Sequence, residues 1–207
     1  MDYADIIQGS LEWFAVKLGK TSSSHISDIM AKNASKGYSA TRKNYMSKLI
    51  CERLTGERVE TFQSTEMKRG TEKEELARQA YELKTFQIVN QVGWIEDDNI
   101  KMHGSSPDGL VGDDGHIEIK CPNTAKHIET LLNGKIDREY LLQIQDQMRV
   151  SGRAWCDFVS YDDRLPEHLR LFIKRVDRDE IMIAEITAEI VKFQSELDDI
   201  IKKLEGI

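Results

Sequence analysis

Proline is scarce in this 207-residue sequence, which contains three, and no Ser- and Gly-rich linker interrupts it. Such features mark the boundaries between independently folded domains, so their absence favours a single domain over residues 1–207. A chain of this length buries enough surface to fold without a structural metal or disulfide. Its hydrophobic fraction of 40% and charged fraction of 31% exclude disordered and collagen-like chains.

Cysteine is equally rare, and Cys51, Cys121 and Cys156 are widely spaced. Without a C-x-x-C pair, a disulfide framework and a structural zinc or iron-sulfur site are both disfavoured. No apolar run approaches the roughly 18 residues that span a bilayer. The first residues also lack the basic segment of a signal peptide. We therefore expect a reduced, cytoplasmic protein with no membrane partner.

Positive charge is in deficit, with 29 Lys and Arg against 36 Asp and Glu and a formal net charge of -7. Residues 1–70 carry 11 basic and 8 acidic side chains, whereas residues 71–207 carry 18 and 28. Acid is concentrated in residues 177–207, with 4 basic and 9 acidic side chains. Because this segment can face away from a polyanion, the net charge weakens a nucleic-acid-binding function without excluding it.

The apolar pattern predicts helices mixed with strands. One of Ser22, Ser23 or Ser24 is expected to cap a helix whose apolar side includes Ile26 and Ile29. Further helices are expected around 45–54 and over 71–84, 125–133, 139–150 and 177–205, and strands over 86–94, 108–112, 116–121, 155–161 and 169–176. Residues 113–115, which read Asp-Asp-Gly, are typical of a hairpin turn. Helices on both sides of a mixed sheet make the expected fold class α/β or α+β.

The C-terminal segment carries apolar residues at alternating steps of four and three: Ile186, Ile190, Phe193, Leu197, Ile200 and Leu204. This stripe resembles the a and d positions of a coiled coil. Two interpretations stay open, a helix that packs on the chain's own sheet and a seam between subunits. Three heptads are short for a coiled coil, so we favour packing on the chain's own sheet.

Residues 106–120 hold the most informative pattern. Strand alternation over 116–120 sends Ile117 and Ile119 into the core and places Glu118 and Lys120 together on the opposite face. If the hairpin forms, Asp108 approaches Glu118, and two close carboxylates repel unless a divalent cation lies between them. Oxygen ligands favour Mg²⁺ or Mn²⁺ over zinc. The alternative is an exposed hairpin with an ordinary ion pair.

Pro107-Asp108 followed by Glu118-Ile119-Lys120 resembles the PD-(D/E)xK nuclease core. The segments 104–110 (Gly-Ser-Ser-Pro-Asp-Gly-Leu), 118–122 (Glu-Ile-Lys-Cys-Pro) and 140–145 (Tyr-Leu-Leu-Gln-Ile-Gln) resemble the lambda exonuclease, or YqaJ-like viral recombinase, family. The similarity extends over residues 13–161. It implies a restriction-endonuclease-like α/β core, here followed by the long C-terminal helix.

Two further positions match active-site residues of that family. Glu74 shares a predicted helix face with Ala77 and Tyr81, and the resemblance makes it an active-site acid. An acid that merely favours the helix dipole is the competing interpretation. The resemblance places Gln145 beside the catalytic Lys120 and its water. A core glutamine with satisfied hydrogen bonds is the alternative.

The segment 13–24 matches the part of the family that receives the 5′-phosphate of DNA. The resemblance assigns phosphate or DNA binding to Lys17, Ser24 and Ser106, with Ser24 expected at a helix N-terminus, where free N–H groups suit an anion. The family has arginine where this chain has Lys17. A lysine supplies charge but not a bidentate fork.

The resemblance implies a 5′-to-3′ exonuclease that digests one strand of linear duplex DNA to mononucleotides and leaves 3′ tails for recombination. Asp108, Glu118 and the Ile119 carbonyl would hold Mg²⁺, with Mn²⁺ as a substitute, and Glu74 would complete a second metal's shell. Lys120 would either orient and deprotonate water or neutralise developing charge.

The resemblance also implies a homotrimeric ring around DNA and a single-strand-annealing partner. It further implies a phage or prophage origin and a location in the host cytoplasm. Three alternatives stay open: a restriction-type endonuclease, a Cas4-like exonuclease, which the three scattered cysteines disfavour, and a non-catalytic duplex-binding recombination protein.

Overall fold

Helices alternate with short strands in the computed structural model, which describes residues 2–3, 5–34, 37–60 and 65–207. The helices are α1 (Leu11–Lys17), α2 (Ile26–Met30), α3 (Ala40–Thr55), α4 (Thr65–Thr85), α5 (Thr124–Asn133), α6 (Arg138–Ser151) and α7 (Glu180–Glu205). The strands are β1 (Asp2–Tyr3), β2 (Thr21–Ser22), β3 (Val89–Asn90), β4 (Trp94–Glu96), β5 (His103–Ser105), β6 (Gly109–Val111), β7 (Gly115–Lys120), β8 (Trp155–Tyr161) and β9 (Leu171–Asp177). None of the helices within these ranges is both long and apolar enough to cross a membrane.

The strands form two mixed sheets. The larger has the order β3-β6-β7-β8-β9 and the smaller β1-β4-β5-β2. β6 and β7 pair antiparallel, which confirms the predicted hairpin, whereas β7 and β8 run parallel and are joined by α5 and α6. A parallel pair needs such a crossover connection. The mixed α/β class predicted from the sequence is confirmed.

Helices cover both faces of the larger sheet. On one face α4 packs through Ala77 and Tyr81 against strand residues that include Ile117, Ile119 and Val159. On the other face α6 packs through Ile144 and Met148 against Cys156 and Phe158 of β8. The buried alternation of β7 therefore places Ile117 and Ile119 toward α4 and Glu118 toward α6, as the sequence predicts.

The stripe of α7 packs within the chain, but not on the sheet. Ile186, Ile190, Phe193 and Leu197 are fully buried. Their helix contacts α2, α3 and α6. The expected packing on the sheet is wrong because α6 already covers that face, so α7 forms an outer layer over the helices.

Several predicted boundaries differ from the structure. Helix α4 begins at Thr65 rather than at 71. Residues 86–94 form β3 and the start of β4 rather than one strand. The chain between these strands passes so close to Tyr3 and Ile6 that a Cβ at Gly93 would lie 2.1 Å from the Ile6 carbonyl oxygen. Helix α7 begins at Glu180 rather than 177 because the Asp179 carboxylate accepts hydrogen bonds from the backbone N–H groups of Ile181 and Met182.

Candidate functional site

The β6–β7 hairpin fixes Asp108 beside the strand that carries Glu118 and Lys120. Asp108 immediately precedes Gly109, which pairs with Ile117. Its Oδ2 accepts a hydrogen bond of 2.6 Å from the backbone N–H of Ile119. Gly109 allows β3 to approach, since a Cβ there would lie 2.1 Å from Cγ1 of Val89. Local backbone geometry therefore brings together the residues that the sequence singled out.

Glu118 is 1% exposed and is held at both carboxylate oxygens. Lys120 Nζ lies 2.6 Å from Oε1, and Gln143 Nε2 donates to the same oxygen over 2.8 Å. Gln147 Nε2 donates to Oε2 over 2.6 Å. Lys120 also donates to Gln143 Oε1 over 3.2 Å. The buried charge of Glu118 is therefore both paired and hydrogen-bonded, as burial requires.

Glu74 reaches the same site from α4. Ala77 and Tyr81, three and seven residues later on the same helix face, are fully buried, which turns Glu74 inward. Its half-buried carboxylate lines a cleft shared with Asp108 and Glu118. Burial and the nearby negative charge of Glu118 raise the pKa of Glu74 to about 7. The alternative that Glu74 merely favours the helix dipole is wrong, because α4 begins at Thr65 and Glu74 lies beyond its first turn.

Negative charge is in excess around Asp108. Burial, followed by the charges of Glu118 and Glu74, raises the pKa of Asp108 well above its usual range. Burial alone would lower the pKa of Lys120, but the charges of Glu118 and Asp108 outweigh it and raise the pKa above that of a free lysine. One ammonium group thus faces three carboxylates.

These groups line a cleft of about 170 Å³. Its walls comprise Gln8, Trp13, Lys17, Ser22, Ser23, Ser24, Glu74, Ser106, Asp108, Glu118, Ile119, Lys120, Gln143 and Gln147. All the sequence-predicted site residues except Gln145 are present. The structure therefore brings the acidic residues and the proposed phosphate-binding residues into one cavity.

The donor chemistry of the cleft suits a hard divalent cation. Within the described ranges, no three His, Cys, Asp or Glu side chains already form a group that could hold a metal. Lys120 is the counter-ion of Glu118 in this arrangement. Burial, and after it the neighbouring carboxylates, raises the pKa values of Glu74 and Asp108, and a cation bound by carboxylate oxygens would stabilise the ionised form of both.

A second, basic pocket of about 120 Å³ adjoins the acidic cleft and shares Trp13, Lys17 and Ser22 with it. Its charged lining includes Lys17, Lys20, Lys48, Glu52 and Arg58. The Lys17 ammonium lies 3.6 Å from the centre of the Trp13 ring. Burial, together with the positive charges of Lys48 and Arg58, lowers the pKa of Lys17 to about 7. A nearby anion would stabilise its charged form.

The two serines predicted to contact DNA line the cleft in different ways. The Ser24 hydroxyl is exposed and lies 3.0 Å from that of Ser22. It belongs to a 3₁₀ turn, Ser23–His25, that leads directly into α2, so it lies at the start of a helical segment as expected. The expected serine cap is wrong, because the N-cap residue of α2 is His25 and no side chain caps either segment. Ser106 Oγ donates to the Gly93 carbonyl over 2.6 Å and accepts from Trp13 Nε1 over 2.9 Å.

The expected position of Gln145 beside Lys120 is also wrong. Its Nε2 donates to the Asp177 carbonyl, and its Oε1 accepts from the Asp179 backbone N–H, each over 2.8 Å. This is the core glutamine with satisfied hydrogen bonds that the sequence left as the alternative. Two positions earlier and later, Gln143 and Gln147 lie on the helix face that covers Glu118. Residues four apart share a helix face, so the spacing of Gln143 and Gln147 is the sequence signal that could have identified them as a pair.

Lys48 and Arg58 were missed for different reasons. Lys48 lies on α3 among ordinary surface lysines, and no motif distinguishes it. Arg58 lies in the segment after α3, where there is no periodicity to interpret, and its guanidinium stacks 3.5 Å from the centre of the Phe14 ring. Only the tertiary structure shows that both join Lys17 in one pocket.

Comparison with known proteins agrees with this geometry. The sequence profile of the YqaJ-like viral recombinase domain matches residues 12–154. An alkaline exonuclease, LHK-Exo from Laribacter hongkongensis, is 49% identical with a TM-score of 0.89, and the match covers 95% of this chain and 97% of that chain. The same exonuclease in complex with dAMP gives the same values.

A more distant similarity concerns the fold alone. A phage-related exonuclease from Haemophilus somnus 129PT is 17% identical with a TM-score of 0.70, covering 89% of this chain and 96% of that chain. None of the curated proteins compared with the chain matches it.

Proposed function

Because the chain belongs to the YqaJ-like viral recombinase family, we propose that it is a divalent-metal-dependent exonuclease acting on linear duplex DNA. It digests one strand from a 5′-phosphorylated end, releases mononucleotides and leaves a 3′ single-stranded tail for phage-type recombination. The similarity to an alkaline exonuclease over nearly the whole chain supports a nuclease. The dAMP bound to that relative supports a mononucleotide product.

The main support for the proposal is that two oppositely charged cavities adjoin each other. The acidic cleft with Asp108, Glu118 and Lys120 shares Trp13 and Lys17 with the basic pocket. A DNA end whose terminal phosphate enters the basic pocket places a neighbouring phosphodiester near the acidic cleft. Such an arrangement favours cleavage one nucleotide from a 5′-phosphorylated end over cleavage within a duplex.

Asp108, Glu118 and the carbonyl of Ile119 would hold a Mg²⁺ or Mn²⁺ ion, and Glu74 would contribute to a second one. The ion, when bound, polarises the scissile phosphate and lowers the pKa of a coordinated water. Asp108 is kept in place by the Ile119 N–H, and Glu118 by the amides of Gln143 and Gln147. Pre-oriented ligands of this kind minimise reorganisation during the reaction.

Lys120 acts in its charged form. Its Nζ is paired with Glu118 Oε1 at 2.6 Å, a contact that favours the ammonium form over the neutral amine that a general base needs. The ammonium group instead orients the attacking water and neutralises charge that develops on the phosphate. The ammonium also donates a hydrogen bond to Gln143 Oε1, which helps to hold it in place.

The function is tested by incubating the purified chain with linear duplex DNA and Mg²⁺. We expect mononucleotide release from 5′-phosphorylated ends, no release with EDTA, and slower digestion, by about tenfold, when the ends carry 5′-hydroxyls, because a charge-assisted contact is lost. Covalently closed circles, the matched control substrate, are expected to stay intact. Cleavage of circles indicates an endonuclease, and equal rates on both kinds of end remove the phosphate-pocket assignment.

Lys17 makes the preference for phosphorylated ends depend on pH. Its pKa of about 7 means that the ammonium form is present below pH 7 and is lost as pH rises, whereas a terminal phosphate remains ionised. We measure the preference for phosphate ends as the dissociation constant for hydroxyl ends divided by that for phosphate ends. This ratio should fall above pH 7, by up to about tenfold per pH unit for one linked proton. Lys17→Arg, which stays charged, should flatten this profile. An unchanged slope in Lys17→Arg would contradict the assignment.

The same proposal includes a ring-shaped homotrimer that encloses the duplex and a single-strand-annealing protein as partner in the cytoplasm of the host cell. An acidic exterior with a basic channel would reconcile the net charge of -7 with DNA binding. Light scattering tests the assembly: a mass three times that of the 23.8 kDa chain supports the ring, and a monomer at micromolar concentration defeats it.

A further inference from the structure

Gln147 occupies a position between the acidic cleft and a buried histidine. Its Nε2 donates to Glu118 Oε2 over 2.6 Å, and its Oε1 lies 3.2 Å from Nε2 of His116. All three side chains are buried, with exposures of 1%, 0% and 1% for Glu118, His116 and Gln147. We propose that Gln147, oriented by His116, is a positioning residue that fixes Glu118 for binding of the divalent cation.

The strand register explains why the three groups meet. His116 and Glu118 are two residues apart on β7, so their side chains point to the same face. Gln147 lies on α6, which covers that face. One amide can therefore contact both side chains. This inference rests on the proposed function, because it concerns how the site prepares Glu118 for a cation.

Hydrogen-bond chemistry allows Gln147 one orientation. An ionised carboxylate only accepts hydrogen bonds, so the amide must present its NH₂ group to Glu118 and its oxygen to His116. A neutral imidazole ring carries one N–H. That N–H is on Nε2, because the amide oxygen needs a donor. Nδ1, the remaining acceptor, has no partner among the described atoms.

Glu118 depends on the Gln147 hydrogen bond because its other carboxylate oxygen, Oε1, is shared between two donors. Oε1 accepts hydrogen bonds from both Lys120 and Gln143. Gln147 provides the contact that holds Oε2. Without Gln147, the buried carboxylate is free to rotate toward Lys120, and a buried acceptor loses its partner. Residues that orient metal ligands in this way typically change metal affinity by roughly 10- to 100-fold when replaced.

Mn²⁺ binding, followed by electron paramagnetic resonance on the full chain without DNA, tests the proposal independently of nuclease activity. We expect Gln147→Leu to raise the dissociation constant for Mn²⁺ by about tenfold or more. Turnover at saturating Mn²⁺ should fall by much less than the affinity. His116→Leu should shift the affinity in the same direction by a smaller factor. Because His116 acts through Gln147, the double variant should bind Mn²⁺ no more weakly than Gln147→Leu.

Gln145→Leu is the matched control. Gln145 lies on the same helix and is also buried, but its amide contacts Asp177 and Asp179 rather than Glu118. It should lower the melting temperature without changing Mn²⁺ affinity. Unchanged affinity in folded Gln147→Leu and His116→Leu, or an equal loss of affinity in Gln145→Leu, overturns the inference alone. Failure of the wild-type chain to bind Mn²⁺ overturns the proposed metal dependence as well.

Discussion

Replacement of Lys120 by alanine is expected to lower the rate of DNA hydrolysis by on the order of 10² or more. Lys120 supplies the positive charge that faces Glu118 and Asp108, and Gln143 fixes its position. Its loss removes the group that stabilises developing negative charge on the phosphate. Single-turnover release of mononucleotides, with duplex binding measured separately, separates this loss from weaker substrate affinity.

A second substitution at the same position distinguishes the two possible roles of the lysine. Lys120→Arg keeps a positive charge but cannot act as a base, so the charged-form role predicts partial activity well above that of Lys120→Ala. If Lys120→Arg is as inactive as Lys120→Ala while both remain folded, the lysine is needed as a base or for its shape.

Lys126→Ala provides the matched control for this pair. Lys126 is a lysine of α5 that pairs with Glu129 and Asp137 outside the cleft. Activity comparable to wild type in this variant is expected. Retained activity in Lys120→Ala would remove Lys120 from the mechanism.

The second large effect is expected for Asp108→Asn. Loss of this carboxylate should weaken binding of the divalent cation and reduce turnover by on the order of 10² or more, because a neutral amide is a poorer ligand for a hard cation. The amide oxygen can still accept the hydrogen bond from Ile119 that holds residue 108 in place. The fold should therefore survive the substitution.

Asp108→Asn should lower activity without lowering thermal stability. Burial and the charges of Glu118 and Glu74 raise the pKa of Asp108, so its ionised form destabilises the fold at neutral pH. The folded chain favours the protonated form of Asp108. The resulting contribution to the free energy of unfolding is fully present below the pKa of aspartate in the unfolded chain, and it is lost as pH rises through the higher pKa of the folded chain. In cation-free buffer at neutral pH, Asp108→Asn should melt at or above the wild-type temperature.

Asp113→Asn, at an exposed residue of the hairpin turn, is the control for both readouts. It should leave turnover unchanged, since Asp113 does not line the cleft. An Asp108→Asn variant that unfolds at lower temperature than wild type and loses activity in proportion would assign Asp108 a structural role.

The hairpin could be predicted because local rules determine it. Alternation along β7 and the turn predicted at 113–115, which the structure has at 112–114, are sufficient to place Asp108, Glu118 and Lys120 on a common face. The inward position of Glu74 follows from the spacing of Ala77 and Tyr81 on α4. These relations depend on residues close in sequence or on one regular element.

Other features depend on contacts between distant elements. Gln143, Gln145 and Gln147 all lie on α6, and only its orientation over β7 decides which of them contact Glu118. Helix α7 packs on helices rather than on the sheet because α6 covers that face of the sheet. The basic pocket joins Lys17 of α1 to Lys48 of α3, which no local pattern relates.

Asp108 and Glu118 are proposed to bind one divalent cation beside Lys120, and anomalous diffraction from crystals grown with Mn²⁺ would locate this ion. We predict a peak in the cleft at roughly 2.1 Å, the bonding distance of a small octahedral cation, from an oxygen of each carboxylate. Manganese bound elsewhere, with this cleft empty at saturating concentration, would contradict it.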